Sequence, residues 1–154
     1  MVLACLAAIF YFSAQPFSAQ DLRAEIGRHG RIVQKVRDLP PVSFSYGGEI
    51  VDNRLNPEDF IQFWLRKGAH FVVYGLLGLA IDGALAAAGL KGCRRWIAAG
   101  LFVFLVAVLD EQNQMSVPGR TGRPLDVLVD LAGFFSFVLL RYPCLSMLRR
   151  REGL

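Results

Sequence analysis

Residues 110–130 read DEQNQMSVPGRTGRPLDVLVD, and this stretch decides the fold of the 154-residue chain. It contains four carboxylates and two arginines, and it lies between two strongly apolar runs of sequence. Ionisable side chains next to hydrocarbon are costly, and they normally face the protein interior, where they pair or have a function. The pattern therefore predicts that helices bring these groups together inside the protein.

The composition is that of an integral membrane protein. Hydrophobic residues make up 54% of the chain, charged residues make up 19%, and the mean hydropathy is +0.40. The net charge of +4 comes from Lys and Arg that gather at the ends of apolar runs, which argues against nucleic acid as a partner. Cys5, Cys93 and Cys144 show no paired spacing, which indicates neither a zinc site nor a disulfide framework. We expect no bound metal and no cofactor.

We predict an all-α fold, an integral membrane four-helix bundle with one extracytoplasmic loop, formed as a single domain over residues 1–154. The apolar runs 96–109 and 125–140 are both shorter than the roughly 20 residues that a span needs. If both cross, their polar ends must lie within the membrane and face protein or trapped water. The expected spans are residues 1–13, 67–90, 94–114 and 124–142.

Basic residues give the orientation. They cluster between the second and third spans and after the fourth, which places both termini in the cytoplasm by the positive-inside rule. The loop 14–66 is then extracytoplasmic, and its own basic residues count little because the loop is about 50 residues long. The residues used are Lys91, Arg94, Arg95, Arg141, Arg149, Arg150 and Arg151.

The long loop has local structure of its own. Apolar residues recur at helical spacing from Leu22 to about Arg37, which predicts an amphipathic surface helix. After Pro40, the alternating residues 43–46, a Gly-Gly pair and residues 49–51 predict a small hairpin. The loop is interpreted either as a lid over the outer helix ends or as a recognition module.

Helical spacing predicts which polar groups meet. Residues three and four apart share a helix face, and three such polar stripes fall at the same depth of the expected bundle. We therefore predict one pocket that lies within the membrane, just below its extracytoplasmic surface. It is lined by Lys67, His70, Tyr74, Asp110, Glu111, Gln114, Arg120, Arg123, Asp126 and Asp130.

Three interpretations of this cluster remain open. It is a buried ion-pair network that fixes helix packing, or a site in which Arg120 and Arg123 clamp a phosphate or carboxylate. The third is a catalytic site in which His70, Glu111 or Asp126 moves a proton, or in which the acids hold a divalent metal against a pyrophosphate. The spacing of these residues matches no recognised metal-binding motif. A small proton-coupled transporter is a separate hypothesis, in which Asp82 works with one of two arginines, Arg95 or Arg141.

Four motifs, taken in order, resemble the VanZ-like family. They are IFYFSAQP (9–16), RKGAHFVVYGLLG (66–78), DEQNQ (110–114) and PGRTGRPLDVLVDLAG (118–133). The resemblance covers nearly the whole chain, and the loop is its least similar part. Many members have Asn where this chain has Asp130, which adds an acid to the site.

The resemblance implies a small multi-span protein of the bacterial cytoplasmic membrane and cell envelope. The family is named for a member that raises resistance to teicoplanin, a lipid-tailed glycopeptide antibiotic. For this chain it implies membrane lipids as partners and a site for an amphiphile with an anionic headgroup. The candidates are a lipid-linked cell-wall precursor, a phospholipid and a lipoglycopeptide, and a membrane enzyme that modifies such a lipid is the alternative.

Overall fold

The computed structural model describes the backbone of residues 1–120 and 122–152 and the side chains of residues 1–120 and 122–141. This part of the chain forms six α-helices and one antiparallel pair of strands. The elements are α1 (Val2–Ser13), α2 (Arg23–Arg28), α3 (Gly30–Arg37), β1 (Ser43–Tyr46), β2 (Glu49–Asp52), α4 (Pro57–Ala87), α5 (Gly92–Met115) and α6 (Pro124–Glu152).

Two helices among the described residues, α4 and α5, are long and apolar enough to cross a membrane. Their 31 and 24 residues each exceed a hydrocarbon core of about 30 Å at a rise of about 1.5 Å per residue. α1 has only 12 residues and counts as a third span only together with Phe17–Arg28, from which it is bent by 112°. Length and composition thus support two or three spans, and the four expected from the sequence are not confirmed.

α4 begins earlier than the expected span. Pro57 occupies its first turn with Glu58 and Asp59, as the sequence pattern predicts for a helix start. The helix therefore has about ten residues before Lys67, the first residue of the expected span. These residues hold the long loop against the rest of the protein, since α2, α3 and β2 all contact α4.

The most extensive contact between elements joins α4 and α6. Gly78 lies against the ring of Phe134, and Gly133 lies against the backbone of Phe71. A Cβ atom at Gly133 would stand 2.9 Å from the Phe71 carbonyl carbon and would clash with the carbonyl oxygen. Small residues at such positions allow two helix backbones to approach closely, as is common in membranes.

The core lies where α1 and α5 join this pair of helices. Large apolar side chains of α5 and α6 also point outward, among them Leu105 and Leu139, each more than half exposed. Outward apolar surface of this kind is typical of helices that face lipid. The buried core residues are Ile9, Tyr74, Leu77, Ile81, Ala99, Val103, Val106, Ala107, Val127, Phe134 and Val138.

The expected hairpin is confirmed. β1 pairs with β2 in antiparallel register, with Tyr46 opposite Glu49. Gly47 and Gly48 form the turn at φ of +57° and +85°, a region that favours glycine. The buried Asn53 side chain accepts the N–H of Val42 at 2.9 Å and donates to a carbonyl at the end of α3, which fixes the base of the hairpin.

The expected single amphipathic helix is interrupted, and this corrects the sequence prediction. The chain forms α2 and α3 with a break at His29, whose ψ of 56° is not helical. Gly27 and Gly30 flank the break, and glycine lowers helix propensity by about 1 kcal/mol relative to alanine. Ile26 and Val33 are nevertheless buried, so each short helix presents apolar residues to the protein.

Candidate functional site

The polar ends of α4, α5 and α6 converge as the sequence predicts. Of the ten candidate residues, eight lie together, seven of them buried and His70 partly buried. Most of their contacts join residues that are far apart in sequence. We call this set the polar cluster: Lys67, His70, Tyr74, Asp110, Glu111, Gln114, Asp126 and Asp130. Arg120 and Arg123 lie at its rim and bind elsewhere.

The centre of the polar cluster is a contact between α4 and α6. His70 Nδ1 lies 3.0 Å from Asp130 Oδ1, and Asp130 is fully buried. The imidazole stacks on the ring of Tyr74 one helical turn later, with centroids 6.1 Å apart. The carboxylate and the stacked ring together fix the orientation of the imidazole, an arrangement found in acid–base and metal sites.

α5 adds two acids and an amide. Tyr74 Oη donates to Asp110 Oδ2 at 3.1 Å, and Gln114 Nε2 donates to the same oxygen at 3.1 Å. Glu111 Oε2 accepts the backbone N–H of Arg123 at 2.6 Å. Gly122 lies against the backbone of Glu111. A Cβ atom on residue 122 would lie 2.5 Å from the Glu111 carbonyl oxygen, so only glycine allows the loop to approach the acid this closely.

Lys67 and Asp126 form a buried ion pair between α4 and α6. Tyr46 of the hairpin donates to Asp126 at 2.6 Å, and the Lys67 ammonium lies 4.5 Å from the Tyr46 ring centroid. Burial raises the pKa of Tyr46 above its ordinary range, and the hydrogen bond to Asp126 raises it further. The hairpin therefore covers the Lys67–Asp126 pair with the uncharged side chain of Tyr46.

The side chains of the two arginines at the rim bind backbone carbonyls and Glu49. Arg120 donates to the carbonyls of Phe12, Ser13 and Gln15 at 2.8, 3.2 and 3.3 Å, and so satisfies the C-terminal end of α1. Its pKa is lowered by burial. The partners of Arg120 are neutral carbonyls, and no ion pair in the described part of the chain includes it.

Arg123 connects the start of α6 to the hairpin. Its guanidinium pairs with Glu49 and donates to the Tyr46 carbonyl at 3.2 Å. The bidentate clamp of Arg120 and Arg123 stays a prediction. In this structure the two side chains bind α1 and the hairpin respectively. Arg123 instead fixes the hairpin over the polar cluster.

Two cavities open beside the polar cluster. The first, about 440 Å³, is the cationic cavity, and five basic and three acidic residues line it: Arg23, Arg66, Lys67, Arg120, Arg123, Glu49, Asp59 and Asp126. The second, about 280 Å³, is the apolar cavity, with walls from α1 and α4 such as Ile9, Phe12 and Val73. Arg66 and Arg120 line both cavities, so the two are neighbours.

Asp82 belongs to a separate polar group near the far end of α4. It forms ion pairs with Arg95 at 2.7 Å and with Arg141 at 3.0 Å, the two partners that the transporter hypothesis named. Both arginines neutralise the carboxylate, which removes the cost of a buried charge in this part of the protein.

Sequence reasoning missed the contributions of the loop. Three residues that line or cover the site were not predicted: Tyr46, Glu49 and Arg66. Spacing along a helix cannot show that a hairpin will contact Asp126, which is 80 positions from Tyr46 in the sequence. One signal was available: Tyr46 directly precedes the Gly-Gly turn, so it lies at the tip of the hairpin and can reach across to another element.

Comparison with known proteins identifies one family. The model of the family described as VanZ/LLP1 matches residues 1–145, which is nearly the full chain. No curated protein and no solved structure matches the chain.

Proposed function

The chain belongs to the VanZ/LLP1 family, and from this premise we propose that it is a cell-envelope protein that binds an amphiphile with an anionic headgroup. The ligand class comprises lipid-linked cell-wall precursors, phospholipids and lipoglycopeptides. We further propose that the protein has four spans in the bacterial cytoplasmic membrane with both termini in the cytoplasm. The two cavities then open toward the outer leaflet.

The shape of the site supports this proposal. An amphiphile needs a charged pocket and an apolar one side by side, and the cationic and apolar cavities are neighbours. Five basic against three acidic lining residues leave the cationic cavity with an excess of two positive charges. A phosphate or carboxylate headgroup is complementary to that excess, and an acyl or prenyl chain is complementary to the apolar walls.

One observation is central. Arg66 and Arg120 stand at the junction of the two cavities, and no ion pair in the described part of the chain joins either of them to a carboxylate. The other lining cations, such as Lys67 and Arg23, have acidic partners. Two uncompensated guanidinium groups at this junction would hold a headgroup while its chain enters the apolar cavity.

Binding of undecaprenyl phosphate to the purified protein in neutral detergent tests the proposal, with phosphatidylglycerol and phosphatidylcholine as comparison lipids. Native mass spectrometry gives the bound fraction. We expect both anionic lipids to bind more tightly than phosphatidylcholine, and Arg66→Gln and Arg120→Gln each to weaken anionic binding about tenfold. Arg28→Gln is the matched control because Arg28 is exposed and pairs only with Glu25 in the described structure. Equal binding of all three lipids, or no effect of the two variants, would overturn the proposal.

A link to teicoplanin follows as a second arm of the same proposal. If the bound amphiphile is a lipoglycopeptide or its target, expression in a susceptible host should raise the inhibitory concentration of teicoplanin but not that of vancomycin, which lacks the lipid tail. Arg120→Ala should abolish the difference, whereas the exposed control Arg28→Gln should leave it unchanged.

A membrane enzyme acting on a lipid or polyprenyl phosphate is the alternative, and the His70–Asp130 contact favours it. His70 also lines the apolar cavity, so a proton-transferring imidazole would meet the bound chain near its headgroup. Lipid extracts of cells with and without the protein separate the two functions. An enzyme predicts a changed lipid that disappears on His70→Gln, whereas a binding protein predicts an unchanged lipid profile.

A further inference from the structure

We propose that His70, Glu111 and Asp130 bind a divalent transition-metal ion of the Zn²⁺ or Mn²⁺ type. The three residues come from α4, α5 and α6, and one ligand atom from each lies within 4.8 Å of the others. Ligand atoms around a single ion at bond lengths of about 2.0–2.2 Å are about 3–3.5 Å apart, so modest side-chain rotations close the site. No sequence motif marks it, because each helix supplies a single ligand.

Unpartnered oxygens independently indicate a bound cation. Within the described part of the chain, Asp110 Oδ1, Gln114 Oε1 and Asp130 Oδ2 are buried and accept no hydrogen bond. All three atoms are acceptors, and buried polar atoms normally have a partner. A metal ion and its bound water would supply a partner to each of the three oxygens.

The charges agree with this inference. Asp110, Glu111 and Asp130 are buried acids, and His70 is their only ion-pair partner among the described side chains. Lys67 is already paired with Asp126. Buried carboxylates without counter-charge are costly, and a divalent ion would offset two of these negative charges.

The ligand set selects the metal. An imidazole nitrogen favours Zn²⁺ and related ions, whereas carboxylate and amide oxygens also suit Mn²⁺. Glu111 is oriented for this role, because the Arg123 N–H holds Oε2 at 2.6 Å and leaves Oε1 with only a long 3.4 Å contact to Gln114. An all-oxygen site would be expected for Mg²⁺ instead.

Metal content of the detergent-purified full chain tests the proposal without any added lipid, so the result does not depend on amphiphile binding. After loading with Zn²⁺ or Mn²⁺ and dialysis against metal-free buffer, we expect about one ion per chain by elemental mass spectrometry. Glu111→Gln and Asp130→Asn should each lower the affinity at least about tenfold. The matched control is Glu25→Gln combined with His29→Ala, which removes an exposed His–Glu pair on another part of the protein and should leave the metal content unchanged.

Two results would overturn the metal site. One is retention of less than about a tenth of an ion per chain by the wild type after loading. The other is a loss of bound metal in the control variant that is as large as the loss in the Glu111→Gln and Asp130→Asn variants, because such a loss would indicate surface binding. Manganese electron paramagnetic resonance provides a second readout, since a bound Mn²⁺ spectrum should disappear on Glu111→Gln in protein that circular dichroism shows to be folded. A spectrum that survives this substitution would also count against the site.

Discussion

His70 Nδ1 and Asp130 Oδ1 lie 3.0 Å apart, although 60 positions of sequence separate the two residues. The contact joins α4 to α6, the most closely packed pair of helices, and Asp130 has no exposed surface. Because solvent does not reach the carboxylate, its partners must come from the protein or from a bound ion. The pair therefore contributes to the packing of α4 on α6 and orients the imidazole in the polar cluster.

The first prediction compares two substitutions at Asp130 in metal-free buffer. Asp130→Asn keeps an acceptor for His70 and should change stability little, whereas Asp130→Ala leaves the imidazole unpaired and should cost about 1–3 kcal/mol more. Thermal unfolding in detergent, followed by circular dichroism, measures the difference. Equal unfolding temperatures for the two variants would show that the hydrogen bond contributes nothing to packing.

The second prediction concerns the close approach of α4 and α6. Gly133→Ala places a Cβ against the Phe71 backbone, which cannot move aside as a side chain can, and we expect a loss of several kcal/mol or failure to fold. Gly68→Ala is the control, because Gly68 is in the same helix pair and nothing lies within 4 Å of its Cβ position. That variant should gain about 0.5–1 kcal/mol from helix propensity. Monodisperse Gly133→Ala protein with unchanged unfolding temperature would contradict the packing.

Helical spacing predicted the polar cluster because its members lie on long, regular helices. Lys67 with His70, or Asp126 with Asp130, share a face whatever the surrounding fold is. The positions of Arg120 and Tyr46 could not be predicted in this way, because they depend on where α1 ends and how the hairpin docks. The number of spans was equally hard to predict, since α6 places carboxylates in its first turns, where composition alone cannot distinguish a membrane span from a buried helix.

The third prediction concerns the buried ion pair. Lys67→Met leaves Asp126 charged and buried with only the Tyr46 hydroxyl, and it should destabilise the protein by about 3–5 kcal/mol. Replacing the whole unit, with Asp126→Leu and Tyr46→Phe added, should recover most of that loss because no unpaired polar group remains. Chemical unfolding in detergent gives the comparison. If the triple variant is no more stable than Lys67→Met, the cost lies in packing and not in the unpaired charge.

The fourth prediction concerns pH and a group outside the membrane spans. Hydrogen bonds from Arg23 lower the pKa of Asp21 from its ordinary value of 3.8 to about 2. Because the folded-state pKa is the lower one, the stabilising contribution of this contact is present above pH 3.8 and is lost as the pH falls through about 2. An NMR titration of the Asp21 carboxyl should give the low midpoint in the wild type and a higher midpoint in Arg23→Gln, which loses the guanidinium bonds but keeps the backbone N–H that donates to Asp21. Arg28→Gln should leave the midpoint unchanged, since Arg28 pairs with Glu25.

The fifth prediction tests the proposed orientation. Cys93 is exposed at the start of α5, where the basic residues Lys91 and Arg94 predict the cytoplasmic side. In a background with Cys5 and Cys144 changed to Ser, a membrane-impermeant maleimide should label Cys93 only after the cells are permeabilised. Ser45→Cys in the exposed hairpin, combined with Cys93→Ser, should be labelled in intact cells, because four spans place the loop outside. If intact cells label Cys93 but not Ser45→Cys, the orientation is reversed. If both positions are labelled from the same side, α4 does not cross the membrane once between the hairpin and α5.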